Sequence, residues 1–302
     1  MKKILFLLMT AVLYFPSGLM AGLQEDNLIN NVYVRFQGII ADQGGDPDSI
    51  LRENIVLEKT IPFEVNVSGQ SLTMYAVRVT ILSGPDAGQN RPVTLIVDQT
   101  GNIQLDGAFT DLSTGRSIHQ EALDELQRLE NNPVSGDLLL KGTGQADVLF
   151  LSDPFCPYCR HAYFYLLDQQ NRISELMIAH YPLSPGSGSE ALTFLMMEHK
   201  DKDSFQEVVD FAYRIDRTLF TDNADHSVVR IYNEEFEAYT RTSEEVFEYL
   251  QEKHQGNLLN RMEQMRGMGL SGTPMFIIDG IKVNGFNRDR IEDLLDKANE
   301  KD

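Results

Sequence analysis

Cys156 and Cys159 are the only cysteines in a chain of 302 residues, and they enclose Pro157 and Tyr158. Two thiols at Cys-x-x-Cys spacing can close a small disulfide ring and open it again, which is the chemistry of thiol–disulfide exchange. The nucleophile in such exchange is a thiolate. The apolar run Ala146 to Leu151 reads as a strand, and Cys156 sits where a helix should open, running to about Gln170. Free backbone N–H groups and the positive end of the dipole favour an anion at that place. Cys156 is therefore expected to attack, and Cys159, one turn further in and more buried, to resolve. Pro157 suits the first turn, where its missing N–H costs nothing. Tyr158 is expected to cover the site. Arg160 and His161 bring positive charge nearby; His161 is a candidate for tuning the thiolate, though both also read as solvated helix residues. The bland alternative for the pair is a local stabilising clip, since thiols this close cannot tie distant parts of a chain together.

The second chemistry-bearing element is Gly272-Thr273-Pro274. A proline just before a strand can be an ordinary trans peptide. A cis X–Pro bond is uncommon and needs a structural reason. The upstream Cys-x-x-Cys supplies one. In proteins of the thioredoxin fold a cis-proline loop packs beside the active disulfide, and the residue before that proline offers backbone N–H and C=O groups to an extended substrate. Thr273-Pro274 is accordingly expected to be cis.

Other chemistries fit less well. Covalent haem attachment needs Cys-x-x-Cys-His, and here Arg160 separates Cys159 from His161. A structural zinc site needs about four ligands; the six histidines show no metal spacing and there is no second cysteine pair, so no metal is expected. Met262, Met265 and Met268 could hold a soft metal, but methionines at helical spacing more often serve as adaptable packing. No cofactor is expected beyond the redox-active Cys156–Cys159 pair itself. The chain carries 26 Lys and Arg against 45 Asp and Glu, a formal charge of −19. That argues against nucleic acid or an anionic membrane as a partner.

These residues need elements to place them. Residues 1–21 read as a secretory signal: Lys2 and Lys3, an apolar run from Ile4 to Phe15 too short to span a membrane, a break at Pro16-Ser17-Gly18, and a small residue, Ala21, at the cleavage position. No later apolar stretch is long enough to span, so a soluble exported chain is expected. In an oxidising compartment isolated thiols are a liability, which favours a working pair over a clip. The roughly 280 remaining residues fit two domains. Residues 22–112 look β-rich, from alternation at Val32, Val34 and Phe36, at Phe63, Val65 and Val67, and at Tyr75, Val77, Val79 and Ile81, with a short strand at Leu95-Ile96-Val97. Gly44-Gly45-Asp46-Pro47, Ser68-Gly69, Gly84-Pro85 and Thr100-Gly101-Asn102 mark turns. Ser117 with Gln120 reads as a capping box for an amphipathic helix that Asn131-Asn132-Pro133 ends. That helix, within 113–136, reads either as a linker or as docked core. Residues 137–302 run strand, helix, strand, a largely helical block over about 189–267, a hairpin around Asp279-Gly280, and a final helix from Arg288 to Asn299. The expected architecture is α+β: a β-rich N-terminal domain, a linker helix, and a C-terminal thioredoxin fold with a helical insertion.

The chain resembles the bacterial periplasmic disulfide isomerases of the DsbC/DsbG family. The resemblance rests on three segments: Asp153-Pro154-Phe155-Cys156-Pro157-Tyr158-Cys159; Ser271-Gly272-Thr273-Pro274 with Val283-Asn284-Gly285-Phe286; and Leu95 to Ile103 with Gly107 and Asp111. Together they span most of the chain after the leader. The resemblance implies a periplasmic homodimer, paired through its N-terminal domains. Two catalytic domains would then face a cleft for misfolded or oxidised exported proteins, with chaperone activity. A membrane thiol reductase of the DsbD type would keep the pair reduced. The sequence departs from some family members in lacking a second, structural disulfide, and in apparent extra loops around 41–50 and 83–92. Three functions follow: an isomerase or reductase of wrong disulfides, a dithiol oxidase or sulfenic-acid reductase of the same fold, and a non-enzymatic holdase chaperone.

Overall fold

Tyr75, Val77, Val79 and Ile81 point to one face of a long strand, and that face is where the first unit of the molecule is built. The computed structural model describes residues 22–67, 69–82, 91–107, 109–112, 115, 117–129, 136–221 and 223–300. The expected leader, the Gly84-Pro85 turn and the Asn131-Asn132-Pro133 stop lie outside the described residues. The chain divides into two units, one up to Leu126 and one from Gln127.

In the first unit a helix, α1 (Glu25–Asp42), precedes an antiparallel sheet of β1 (Ile55–Val67), β2 (Gln70–Ile81) and β3 (Arg91–Asp98) in that spatial order. A short helix, α2 (Gln120–Gln127), follows. Tyr75, Val77, Val79 and Ile81 of β2 pack with Leu28 and Val32 of α1, and Ala76, on the opposite face, packs with Ala122 and Leu126 of α2. Alternation on a strand makes this two-sided covering possible. Gly101 lets α1 approach closely: its φ is +69°, and a Cβ there would lie 2.8 Å from Leu28 N.

Two sequence expectations change here. Val32, Val34 and Phe36 do not form a strand; they lie within α1. Leu28, Val32, Phe36 and Ile40 recur every four residues and face the sheet, whereas Val34 is 57 % exposed. Val32 and Phe36 satisfy both periods, and the longer repeat decides in favour of helix. Glu25 and Asp26 in the first turn add favourable charge at the helix start. The predicted Ser117–Gln120 capping box is also absent. Ser117 forms an isolated bridge with Thr110, its hydroxyl lies 3.2 Å from His119 Nδ1, and the helix starts three residues later. The apolar stripe of that helix is docked on the sheet of the first unit.

The second unit is a five-stranded mixed sheet with helices. Its strands are β4 (Asp137–Lys141), β5 (Ala146–Ser152), β6 (Ile173–His180), β7 (Met275–Ile278) and β8 (Ile281–Asn284), in the order β4-β6-β5-β7-β8. β5 and β6 are parallel and joined through α3 (Pro157–Asp168); the other pairings are antiparallel. Between β6 and β7 come α4 (Ser189–His199), α5 (Phe205–Arg214), α6 (Ala224–Phe236) and α7 (Ser243–Gly267), and α8 (Arg288–Asn299) closes the unit. β5 is central and buried on both faces from Val148 to Ser152, as its uninterrupted apolar run requires. The β7–β8 turn puts Asp279 and Gly280 at φ 46° and 82°, which suits the Asp-Gly pair. Met262 and Met265 are core residues of α7, and Met268 packs against the same core.

Candidate active site

β5 delivers the chain to the site, and a carboxylate sets the turn that follows. Asp153 is 3 % exposed. Its Oδ1 accepts from Phe155 N at 2.8 Å and from Ser189 Oγ at 2.7 Å, and its Oδ2 accepts from Leu183 N at 2.8 Å. Three donors meet a buried carboxylate that would otherwise be costly. They tie the turn before Cys156 to the loop after β6 and to the start of α4.

Cys156 is the N-cap of α3, with extended backbone (φ −72°, ψ 120°) and its carbonyl accepting from Arg160 N at 3.1 Å. Pro157 occupies the first helical position. Cys156 is half-buried, and its Sγ lies 3.7 Å from the carbonyl oxygen of Thr273. The Thr273-Pro274 peptide is cis, and the Pro274 carbonyl accepts from Gly285 N at 2.9 Å, which anchors the loop to the end of β8. Cys159, one turn along α3, is fully buried.

The two thiols therefore occupy different environments. Burial pushes the Cys159 thiol up to about 12; the neighbouring hydroxyls of Ser152 and Thr273 and the backbone of Asp153 oppose that shift, and Cys156 adds to it. Tyr213 of α5 is also buried and donates its hydroxyl proton to Ser152 Oγ. Burial and the nearby Cys159 hold the Tyr213 phenol well above its ordinary value. Its ring stacks on Tyr163 at 4.2 Å between centroids, and the Tyr163 hydroxyl bonds Asp210.

Of the residues singled out from sequence, Cys156, Pro157, Cys159, Thr273 and Pro274 converge at this end of the sheet. Tyr158, on the first turn of α3, is 66 % exposed. His161 lies on the exposed side of α3. Arg160 is more than a solvated helix residue. It donates to the carbonyls of Pro154 at 2.8 Å and Ile215 at 3.0 Å and lies over the Phe155 ring, where Arg217 joins it at 4.9 Å. Burial and the adjacent Arg217 lower the Arg160 guanidinium.

Sequence reading missed Ser152, Ser189 and Tyr213, and passed over Asp153 as a partner. A signal existed for the first and last of these. Two polar residues, Ser152-Asp153, end an otherwise apolar strand immediately before the pair. A half-exposed thiol at a helix start beside a buried thiol one turn inward can attack a disulfide and then resolve the mixed disulfide it forms.

No family model and no curated protein sequence matches the chain. Several solved structures do. A thioredoxin-like oxidoreductase from Silicibacter pomeroyi is 19 % identical over 57 % of this chain and 95 % of its own, with a TM-score of 0.43. A periplasmic thioredoxin-like protein from Salmonella enterica serovar Typhimurium is 17 % identical over 59 % of this chain and 97 % of its own, at 0.44. Oxidised BdbD from Bacillus subtilis is 17 % identical over 56 % of this chain and all of its own, at 0.43.

Proposed function

We propose that the chain is a thiol–disulfide oxidoreductase acting through Cys156 and Cys159. One observation carries this reading: a half-exposed thiol caps α3, 3.7 Å from the carbonyl of a cis-proline loop, with a fully buried second thiol one turn along the helix. The topology supports it. β5–α3–β6 followed by β7–β8–α8 is the element order expected of a thioredoxin fold, and α4 to α7 fall where a helical insertion is expected. Cys156 attacks a client disulfide. One client sulfur leaves as a thiolate, and the other stays bonded to Cys156. Cys159 or a client thiol then attacks that bond and frees the enzyme.

The finer reading follows the DsbC/DsbG resemblance. The protein isomerises or reduces wrong disulfides in exported proteins, in the periplasm, with a DsbD-type membrane reductase returning the pair to dithiol. Residues 22–112 pair two copies and give the dimer a chaperone surface. Val34, Leu51, Leu72, Ile103 and Leu112 of the first unit, each at least half exposed, are apolar residues available for that pairing. Among the described residues no helix is long and apolar enough to cross a membrane.

The test is trapping. Cys159→Ala, mixed with a disulfide-bonded client, should accumulate a reducible adduct through Cys156 that vanishes in Cys156→Ser; no adduct with any client would overturn the reading. Thiol alkylation in cells then separates the finer alternatives: a mostly reduced pair fits an isomerase or reductase, a mostly oxidised one an oxidase. Adducts with single-cysteine clients would mark a sulfenic-acid reductase, and chaperone activity surviving Cys156→Ala a holdase. Sedimentation as a monomer would remove the dimer.

A further inference from the structure

Cys159 must become a thiolate at the moment of resolution, yet it is fully buried, and burial opposes its charge. A carboxylate base would answer this, but the carboxylate on the adjoining turn, Asp153, is already committed to Phe155 N, Leu183 N and Ser189 Oγ. Near the sulfur lie instead the Ser152 and Thr273 hydroxyls and the Asp153 backbone.

The Tyr213 hydroxyl has a single proton, and it is spent on Ser152 Oγ. With that lone pair occupied, the proton of Ser152 is free to point elsewhere, and Ser152 is completely buried beside the equally buried Cys159. The Thr273 hydroxyl is likewise buried and has no hydrogen-bond partner. A buried hydroxyl without a partner needs an explanation, and an ionised sulfur supplies it. We propose that the Ser152 and Thr273 hydroxyls, with the Asp153 amide, form a donor pocket for the Cys159 thiolate during resolution, and that Tyr213 is the positioning residue that aims Ser152 into it. The inference rests on the exchange reading above and assigns that reaction its second-step machinery.

The step balances without another reagent. Cys159 gives up its proton, which passes to water, and its sulfur attacks Sγ of Cys156. The Cys156–Cys159 bond forms as the Cys156–client bond breaks. The client sulfur leaves as a thiolate and takes up a proton from solvent, so the client is reduced and the enzyme oxidised. Preorganised donors cost no rearrangement as charge develops, the same logic as an oxyanion hole. The titratable neighbours of Cys159 include Cys156 on its own helix, Asp153 on the turn before it and Tyr213 on α5.

The experiment uses the full reduced chain and 5,5′-dithiobis(2-nitrobenzoic acid). Attack by Cys156 releases one nitrothiobenzoate; resolution by Cys159 releases the second. Ser152→Ala should slow the second release about tenfold, the size expected of one hydrogen bond to a charged group, and move its pH profile upward. The first release should stay within twofold. Tyr213→Phe, which keeps the ring stack, should slow the second release by less. The double variant does not strand the Tyr213 hydroxyl and should be no slower than Ser152→Ala alone, because Tyr213 acts through Ser152. A folded double variant with the wild-type second rate and pH profile would overturn the proposal. Absence of the first release in the wild-type chain would instead strike the exchange reading, and this inference with it.

Discussion

The two units cover their sheets to different degrees. In the first, three strands carry one helix on each face, and the described buried residues fall into three separate clusters. In the second, five strands and six helices share one continuous core. The redox pair sits on the second. The difference shows what the chemistry requires. A thiol opposed by burial and supported by a few donors works only if those donors do not wander, and close packing on both faces of β5 holds them in place. The first unit retains large exposed apolar side chains, Val34, Leu51, Leu72 and Ile103 among them, which suit a surface better than a reaction centre.

Substitutions in the central strand test this contrast most severely. Phe150 is fully buried and stacks on Phe276 at 5.2 Å and on Tyr213 at 6.5 Å. Phe150→Ala should cost about 3–5 kcal/mol by chemical denaturation. It should also slow resolution by Cys159, since Tyr213 loses its support. Full stability with normal resolution would show that the core is not what holds the donors.

A buried charge cluster provides the next test. Arg261 of α7 bonds both oxygens of Asp137 on β4, at 2.9 and 3.1 Å, and the His180 ring on β6 lies 3.3 Å from the same carboxylate. Burial alone would raise the Asp137 carboxyl, but His180 and Arg261 outweigh it and hold it well below the usual range. Asp137→Ala leaves a mostly buried guanidinium unpaired and should cost about 3 kcal/mol. The pH dependence has a definite sign. The folded carboxyl is depressed, so its contribution is complete above about pH 4, the unfolded value, and fades as the pH falls below that. The wild-type chain should therefore lose stability below about pH 4 more steeply than Asp137→Asn. Parallel acid curves would remove the cluster from the account of the second unit.

The first unit should respond less and without touching the chemistry. Leu28 anchors α1 and is 2 % exposed. Leu28→Ala should cost about 2–3 kcal/mol, at the low end for a buried leucine because so small a cluster can relax around the gap. The alkylation rate of Cys156 should not change. A Cys156 rate that fell with Leu28→Ala would mean the units do not divide the work as their cores divide.

The same contrast governs how much could be read from the sequence. The second unit was legible because its signals are local and agree: an apolar run for β5, Cys-Pro at a helix start, Thr-Pro before β7, Asp-Gly in the hairpin. In the first unit they compete. Val32 and Phe36 satisfy both periods, and only the packing of Leu28 and Ile40 on the sheet decides for α1. The donors around Cys159 were hidden for another reason. Tyr213 lies 61 residues from Ser152, and no local pattern announces that a tyrosine on a helical face will find a serine at a strand end.

The smallest effect belongs to the surface of the second unit. α7 opens with Thr242, whose Oγ1 accepts from Glu245 N at 3.3 Å while Glu245 Oε2 accepts from Thr242 N at 3.0 Å. This reciprocal cap satisfies two backbone donors at the start of a 25-residue helix. Thr242→Ala should cost about 1 kcal/mol, and Thr242→Ser should recover most of it. The cap is exposed and belongs to the helix rather than to the core. Both variants should therefore leave Cys156 alkylation and Cys159 resolution at wild-type rates, measured at a temperature where each is fully folded. A change in either rate would mean that strain at a surface helix end reaches the thiols, and that the second unit transmits small perturbations its continuous core should absorb.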